Sequence, residues 1–335
     1  MALRDALARP LRDLRISVTD RCNFRCAYCM PKELYGPEHV FLEHRELLTY
    51  EEITRLAGLF LGLGVEKIRL TGGEPLLRRE LDRLVAMLAA LPGLQDLSLT
   101  TNGALLAGQA RGLAAAGLGR VTVSLDSLDE DVFRRMNGTG ASVAAVLAGI
   151  DAAAAAGLRP IKVNAVVQRG VNDHTIVDLA RYFKGTGHVL RFIEYMDVGG
   201  GNGWRSDQVV PAAEIVARID RDLPLQAAGR AHPGEVAERW RYRDGTGEIG
   251  VISSITQPFC GDCSRARLSP DGKLFTCLFA ATGFALKPLL RGGAADGEIA
   301  AAITAVWGRR EDRYSELRAS LTPVAAKVEM SYIGG

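Results

Sequence analysis

The chain has 335 residues, 47% of them hydrophobic and 24% charged, enough for one or two packed domains and too apolar for a disordered or fibrous protein. Its 41 Lys and Arg against 39 Asp and Glu leave a net charge of +2, so no global attraction to nucleic acid or to an anionic membrane is indicated. The opening MALRDALARP is charged where a signal peptide would be apolar, and no uncharged apolar run of about 18 residues follows, which predicts a cytoplasmic protein without a membrane span.

From residue 11 to about 196, short β-rich runs alternate with longer helical ones, the pattern of βα units around a parallel sheet. Strands are predicted at 13–19, 67–71, 96–101, 119–125, 161–167 and 189–195. Between them lie helical segments such as 49–64, 80–91 and 141–157, several of which stop at a glycine (Gly64, Gly117, Gly157). Six repeats predict a partial barrel rather than the closed eightfold one. The cluster GGGNG at 199–203 marks a boundary, giving a barrel over 1–204 and a smaller domain over 205–335 with no long free linker.

Alternation along the strands sorts their side chains. If Leu14, Ile16 and Val18 face the helices, then Arg15, Ser17 and Thr19 face the lumen. The same rule sends Lys67, Arg69 and Thr71, Ser98 and Thr100, Thr122 and Ser124, Lys162 and Asn164, and Arg191 inward. A closed barrel fills that space with branched aliphatic residues. Here the pattern predicts a wet, positive lumen suited to a polyanion; a sheet whose charged face is simply solvated is the alternative.

The six cysteines form two trios, Cys22, Cys26 and Cys29, then Cys260, Cys263 and Cys277. A large chain without an export signal keeps its thiols reduced, so metal sites are expected rather than disulfides. The first trio follows strand 1, at the carboxyl end where barrel active sites form. Its three thiolates can hold three irons of a [4Fe–4S] cluster and leave the fourth open, or hold zinc with His39 or His44 as fourth ligand. The second trio is also one ligand short. SPDGK at 269–273 reads as a hairpin turn with Gly272 at positive φ, and pairing Ser269 with Lys273 brings Cys277 opposite Arg265 and near Cys263. A zinc ribbon brings two Cys-x2-Cys arms; one arm and a single cysteine favour a second cluster with an open iron.

CNFRCAYC resembles the cysteine loop of radical S-adenosylmethionine (SAM) enzymes, and TGGEP at 71–75 resembles their motif for the SAM amino group. That resemblance implies an α/β partial (βα)6 barrel and SAM contacts from Tyr28, Gly73, Ser124 and Met196. Nearly the whole chain, through RDLRISVTDRCNFRCAYCMP, IRLTGGEPLLR, TTNG, VSLD, RFIEYMD, FCGDCSRARLSPDGKLFTCLF and the terminal Gly-Gly, resembles the GTP 3′,8-cyclase family of molybdenum-cofactor biosynthesis. The family implies two [4Fe–4S] clusters, the second with its open iron on guanine, and GTP contacts from Arg15, Arg69, Thr100, Lys162, Arg265 and Arg267. It also implies that Gly334 and Gly335 reach the active site and act there with Arg15. Lys67 and Arg191 rest on lumen alternation. Implied partners are an electron donor and the next pathway enzyme, cyclic pyranopterin monophosphate synthase; a homodimer is left open. Two other readings are a peptide-modifying radical SAM enzyme and, from the Gly-Gly end, a carboxylate-activated sulfur carrier.

Overall fold

The computed structural model describes residues 2–230, 234–318 and 327–335. Six strands, β1 (Asp13–Ser17), β2 (Lys67–Thr71), β3 (Asp96–Thr101), β4 (Arg120–Ser124), β5 (Lys162–Val167) and β6 (Val189–Glu194), pair in sequence order, every pair parallel. Helices α1 (Tyr50–Gly62), α2 (Leu81–Ala89), α3 (Leu106–Ala115), α4 (Glu130–Asn137), α5 (Val143–Ala155) and α6 (Ile176–Phe183) supply the crossovers. All six predicted strands are present, the first stopping at Ser17 rather than residue 19. There the Thr19 hydroxyl accepts from the Arg21 N–H at 3.2 Å and turns the chain into the cysteine loop.

Each helix follows from its local sequence. Thr49 caps α1 by accepting from the Glu52 N–H at 3.1 Å, and the Glu52 carboxylate accepts from the Thr49 N–H at 2.8 Å, a reciprocal capping box. Its buried stripe of Tyr50, Ile53, Leu56, Ala57 and Phe60 packs on the outer face of the sheet. That outer face is Leu14, Ile16, Ile68, Leu70, Leu99, Val121, Val123 and Val163, all fully buried and each contributing about 1.5–3 kcal/mol by leaving water. Apolar residues on one side of every strand leave the polar set on the other.

The remaining strands do not form a separate sheet. β7 (Leu225–Gly229), β8 (Glu238–Tyr242), β9 (Glu248–Ile252), β10 (Arg265–Leu268), β11 (Lys273–Phe275) and β12 (Phe284–Ala285) extend the six at both edges, in the order β12-β11-β10-β1-β2-β3-β4-β5-β6-β9-β8-β7. β10 joins β1 and β9 joins β6, both parallel. Helix α7 (Ala212–Asp222) crosses from β6 toward β7, and α8 (Lys287–Arg291), α9 (Asp296–Gly308), α10 (Tyr314–Leu317) and α11 (Met330–Ile333) complete the chain. Among the described residues no helix is long and apolar enough to cross a membrane.

Candidate active site

The lumen is a cavity of about 1490 Å³ of atom-free space, counting its open mouth. Arg15, Arg69, Thr100, Ser124, Asn164 and Arg191 line it from the six strands, and Arg265 and Arg267 enter from β10. Register explains the company: Arg267 pairs with Arg15 and Arg15 with Arg69, so three guanidinium-bearing residues stand abreast on adjacent strands. Arg191 is 7% exposed and Arg267 3%, so this charged face is enclosed rather than a solvated exterior. Lys67 lines a smaller space at the amino end of the strands with Asp13, Ser98 and Arg120. Lys162 lines neither space, though it sits in register with Thr122, whose neighbour is Thr100.

The cations strain against one another. Burial pushes Arg191 and Arg267 down to about 9, with Arg69 adding repulsion to the first and Arg265 to the second. Burial, then Arg191, Arg120 and Arg69, bring Lys162 down to about 8. A guanidinium does not give up its proton in a protein, so the cost persists as repulsion that a bound polyanion relieves. Among the described residues the buried hydroxyl oxygens of Thr100 and of its neighbour Thr122 have no hydrogen-bond partner, and Thr100 turns that free capacity toward the cavity.

At the carboxyl end of β1 the cysteine loop is held by its neighbours. Arg25 donates to the carbonyls of Cys22 (2.7 Å) and Tyr35 (2.8 Å), and its own N–H donates to Asn137 at the end of α4 (2.8 Å). Gly73 donates its N–H to the Thr19 carbonyl (2.8 Å) and lies against the start of the loop; a Cβ there would sit 2.6 Å from the Arg21 carbonyl carbon. Gly73 thus packs TGGEP onto the cysteine loop and does not itself line the cavity, whereas Tyr28, Ser124 and Met196 do. The Tyr28 hydroxyl donates to Asp126 Oδ2 at 2.8 Å while Asp126 Oδ1 accepts from the Val166 N–H at 2.8 Å, tying the loop to β5. Burial raises the Asp126 carboxyl to about 6.

The second trio lies at the opposite end of the β1–β10 pair. The hairpin forms as its turn predicts: the Ser269 N–H donates to the Lys273 carbonyl at 2.9 Å, Gly272 has φ +81°, and the register places Cys277 across from Arg265. Cys260, Cys263 and Cys277 all line the cavity. Burial pushes the Cys263 thiol up, but Arg265 and Arg310 outweigh it and hold the group at about 6. Arg265, placed among the phosphate ligands by resemblance, donates to Cys263 Sγ at 3.3 Å.

Both trios fit iron–sulfur clusters. All six cysteines are free and half-buried, and Cys22, Cys263 and Cys277 sulfurs each have an N–H donor within 3.5 Å, the setting of anionic cluster thiolates. A closed zinc site fits less well. His39 is packed between the rings of Tyr35 and Phe41, His44 is exposed, and among the described residues no three Cys, His, Asp or Glu side chains converge as one ion requires. A four-iron cluster spreads its thiolates over separate corners.

The end of the chain enters the same space. α11 packs on β1, Arg267 donates to the Gly334 carbonyl, and Gly335 lines the cavity. Asp126, Arg120, Glu74 and Arg310 are missed by sequence reading. Asp126 and Glu74 stand inside VSLD and TGGEP, but nothing local tells that Glu74 is fully buried, accepting from Thr101 (2.7 Å) and from the Asn102 N–H (2.7 Å) and pushed by burial up to about 7.

Residues 16–183 match the Radical SAM superfamily model and residues 188–316 the Molybdenum Cofactor Synthesis C model. The chain is 58% identical to a GTP 3′,8-cyclase of Acidothermus cellulolyticus and 51% identical to one of Xanthomonas axonopodis pv. citri, in both cases over 99% of each chain. Among solved structures, Streptococcus suis SuiB bound to S-adenosylmethionine superposes with a TM-score of 0.51 at 18% identity, over 64% of this chain and 46% of that one, a likeness of fold. With two relatives matched from end to end and both halves of the chain covered by the corresponding family models, the chain belongs to the GTP 3′,8-cyclase family of the radical SAM superfamily.

Proposed function

We propose that this chain is a lyase that cyclises GTP to (8S)-3′,8-cyclo-7,8-dihydroguanosine 5′-triphosphate, the first step of molybdenum-cofactor biosynthesis, with SAM and two [4Fe–4S] clusters as cofactors. When bound, SAM and the first cluster would supply a 5′-deoxyadenosyl radical that takes the ribose 3′ hydrogen of GTP to become 5′-deoxyadenosine; the ribose C3′ would then bond to guanine C8, and one electron from the separate donor with one proton would complete the dihydro product. The observation that carries the reading is one cavity lined by Tyr28 and Met196 at one end, Cys260, Cys263 and Cys277 at the other, and a belt of guanidiniums between.

In this reading Cys22, Cys26 and Cys29 hold the first cluster and Cys260, Cys263 and Cys277 the second. Tyr28, Ser124 and Met196 form the wall for SAM, and Gly73 sets the loop against β2. Arg15, Arg69 and Arg267 face the triphosphate, which guanidiniums grip through paired donors. The Thr100 hydroxyl adds a neutral donor; Lys162, Lys67 and Arg191 raise the local potential. Arg265 serves both the Cys263 sulfur and the phosphate side. Gly334 sits where a side chain would collide with Thr71, and Gly335 brings the end of the chain onto the wall of the cavity. Residues 1–204 thereby carry radical generation and 205–335 the second cluster, in a cytoplasmic enzyme that takes electrons from a separate donor and passes its product to the next pathway enzyme. Arg15, Arg69 and Arg191 from the six strands, joined by Arg265 and Arg267 from β10, suit a triphosphate better than a peptide.

The test is anaerobic reconstitution with iron and sulfide, then incubation with SAM, dithionite and GTP. The expected result is 5′-deoxyadenosine release that depends on GTP and matches cyclised product. Release without GTP dependence and without a cyclised nucleotide would overturn the assignment.

A further inference from the structure

Three charged side chains that the proposed chemistry does not use lie buried against the second trio. The side chains of Asp5, Arg9 and Arg310 are 0%, 2% and 1% exposed. One oxygen of Asp5, Oδ2, accepts from Arg9 Nε at 2.6 Å and from Arg310 Nη1 at 3.1 Å. The other, Oδ1, accepts from the N–H groups of Leu7 (3.0 Å) and Arg9 (2.8 Å), so the carboxylate is fixed by its own turn.

From that anchor the two guanidiniums reach the cysteine segments. Arg9 Nη1 donates to the Cys260 carbonyl at 2.9 Å and to the Asp312 carbonyl at 2.7 Å. Arg310 donates through Nη1 to the Cys263 carbonyl at 2.7 Å and through Nε to the Thr276 carbonyl, next to Cys277, at 3.0 Å. The Arg310 plane lies 4.6 Å from the ring centroid of the fully buried Trp307. The backbone beside each of the three cysteines is therefore tied to one carboxylate.

Stability alone does not account for the arrangement, because buried ion networks often gain nothing over apolar replacements of similar volume. Two cations share Asp5, and Arg310 Nε also forms a longer ion pair with Asp312 at 3.6 Å. Among the described residues Nη2 of Arg9 is buried with no hydrogen-bond partner, donor capacity beyond what they use. A thiolate-bound cluster is anionic, and its potential depends on nearby charge and on donors to its sulfurs.

We infer that Asp5, Arg9 and Arg310 form a positioning clamp that sets the geometry of the second trio and holds two guanidiniums beside the cluster bound there. The inference rests on reading that trio as a cluster site. Arginine suits the task because separate nitrogens of one rigid plane hold the carboxylate and the carbonyls at once, Nε on Asp5 and Nη1 on two carbonyls in Arg9, which the single nitrogen of a lysine does not.

The test compares the anaerobically reconstituted full chain with Arg9→Gln and Arg9→Lys, measuring iron per chain, melting temperature and the second cluster's potential by redox titration of its spectroscopic signal. Arg9→Gln is expected to keep the first cluster's signal, to fall from about eight irons toward four, and to leave any remaining second cluster harder to reduce. Arg9→Lys is expected to restore the potential but not full occupancy. Full iron with an unshifted potential in Arg9→Gln would overturn the clamp, and so would loss of both clusters together with the fold. An unaltered chain holding only about four irons would instead overturn the cluster reading beneath it.

Discussion

Gly334 offers the sharpest test of the terminal glycines. Its φ is +76°, and a Cβ built there would overlap Thr71 Cγ2 at the end of β2 while lying 3.2 Å from Thr71 Oγ1. A left-handed conformation costs an alanine about 1–2 kcal/mol, and forcing a methyl into packed surroundings adds about 1–3. Gly334→Ala should therefore disfavour the seated tail by roughly 2–5 kcal/mol, a factor of about 30 to several thousand at 1.36 kcal/mol per tenfold. The contact also lies beside the carbonyl that Arg267 holds, so displacement of the tail disturbs a cation of the lumen. Gly335 differs: a Cβ there meets the flexible Met330 side chain at 3.0 Å, which can move aside. The assay is GTP cyclisation beside cluster content and melting temperature, with Gly334→Ala severely impaired, Gly335→Ala less so, and both folded with intact clusters. Combining Gly334→Ala with Thr71→Ser removes the overlapping methyl and should restore part of the activity. Cyclisation by Gly334→Ala within twofold of the unaltered chain would refute the reasoning.

Arg15→Ala or Arg267→Ala should weaken GTP binding by about 2–5 kcal/mol, the range for truncating one partner of a buried charge pair; affinity within twofold in both would show that the cation belt does not hold the phosphates. Lys162, near 8 under burial and the repulsion of Arg191, Arg120 and Arg69, with Glu235 partly offsetting them, gives opposite signs in two measurements. Between pH 8 and the ordinary lysine value near 10.4 the unfolded chain binds more protons than the folded one, so ligand-free stability should rise with pH while GTP affinity falls; Lys162→Met should flatten both. Changing Cys22, Cys26 or Cys29 to Ala should abolish reductive SAM cleavage, whereas Cys277→Ala should retain uncoupled cleavage and lose the cyclised product. Normal cyclisation by Cys277→Ala would remove the second cluster from the reaction.

How much was legible depended on whether the signal was local. The six strands, the inward Arg15, Arg69 and Arg191 and the Ser269–Lys273 turn each follow from a period or from a short motif and are present, whereas Lys67 lines a separate space and Lys162 lines neither. The pairing of β10 with β1 joins residues about 250 apart and leaves no mark in either segment, so the second half reads as a separate unit although its strands continue the same sheet. Asp126 is a similar case: its motif was visible, but its bond to Tyr28 spans 98 positions. The Asp5–Arg9–Arg310 network was illegible because a charged residue near a chain terminus ordinarily reads as solvated surface.

The parallel register of β1 and β10 acts as a ruler. Asp13 is level with Arg265, just after Cys263, while the other end of β1 is Ser17, just before the loop that carries Cys22. The two cysteine sites are thus spaced by the four steps from Asp13 to Ser17, about 13 Å at 3.3 Å per residue, plus the short segments at either end. Ladder hydrogen bonds to β10 and β2 hold that interval. A residue inserted in β1 would shift the interval by one step and turn Arg15 toward the helices. The spacing of the two reaction ends is therefore gauged by backbone geometry, and side-chain evolution in the lumen can change what is gripped without changing how far apart the grips stand.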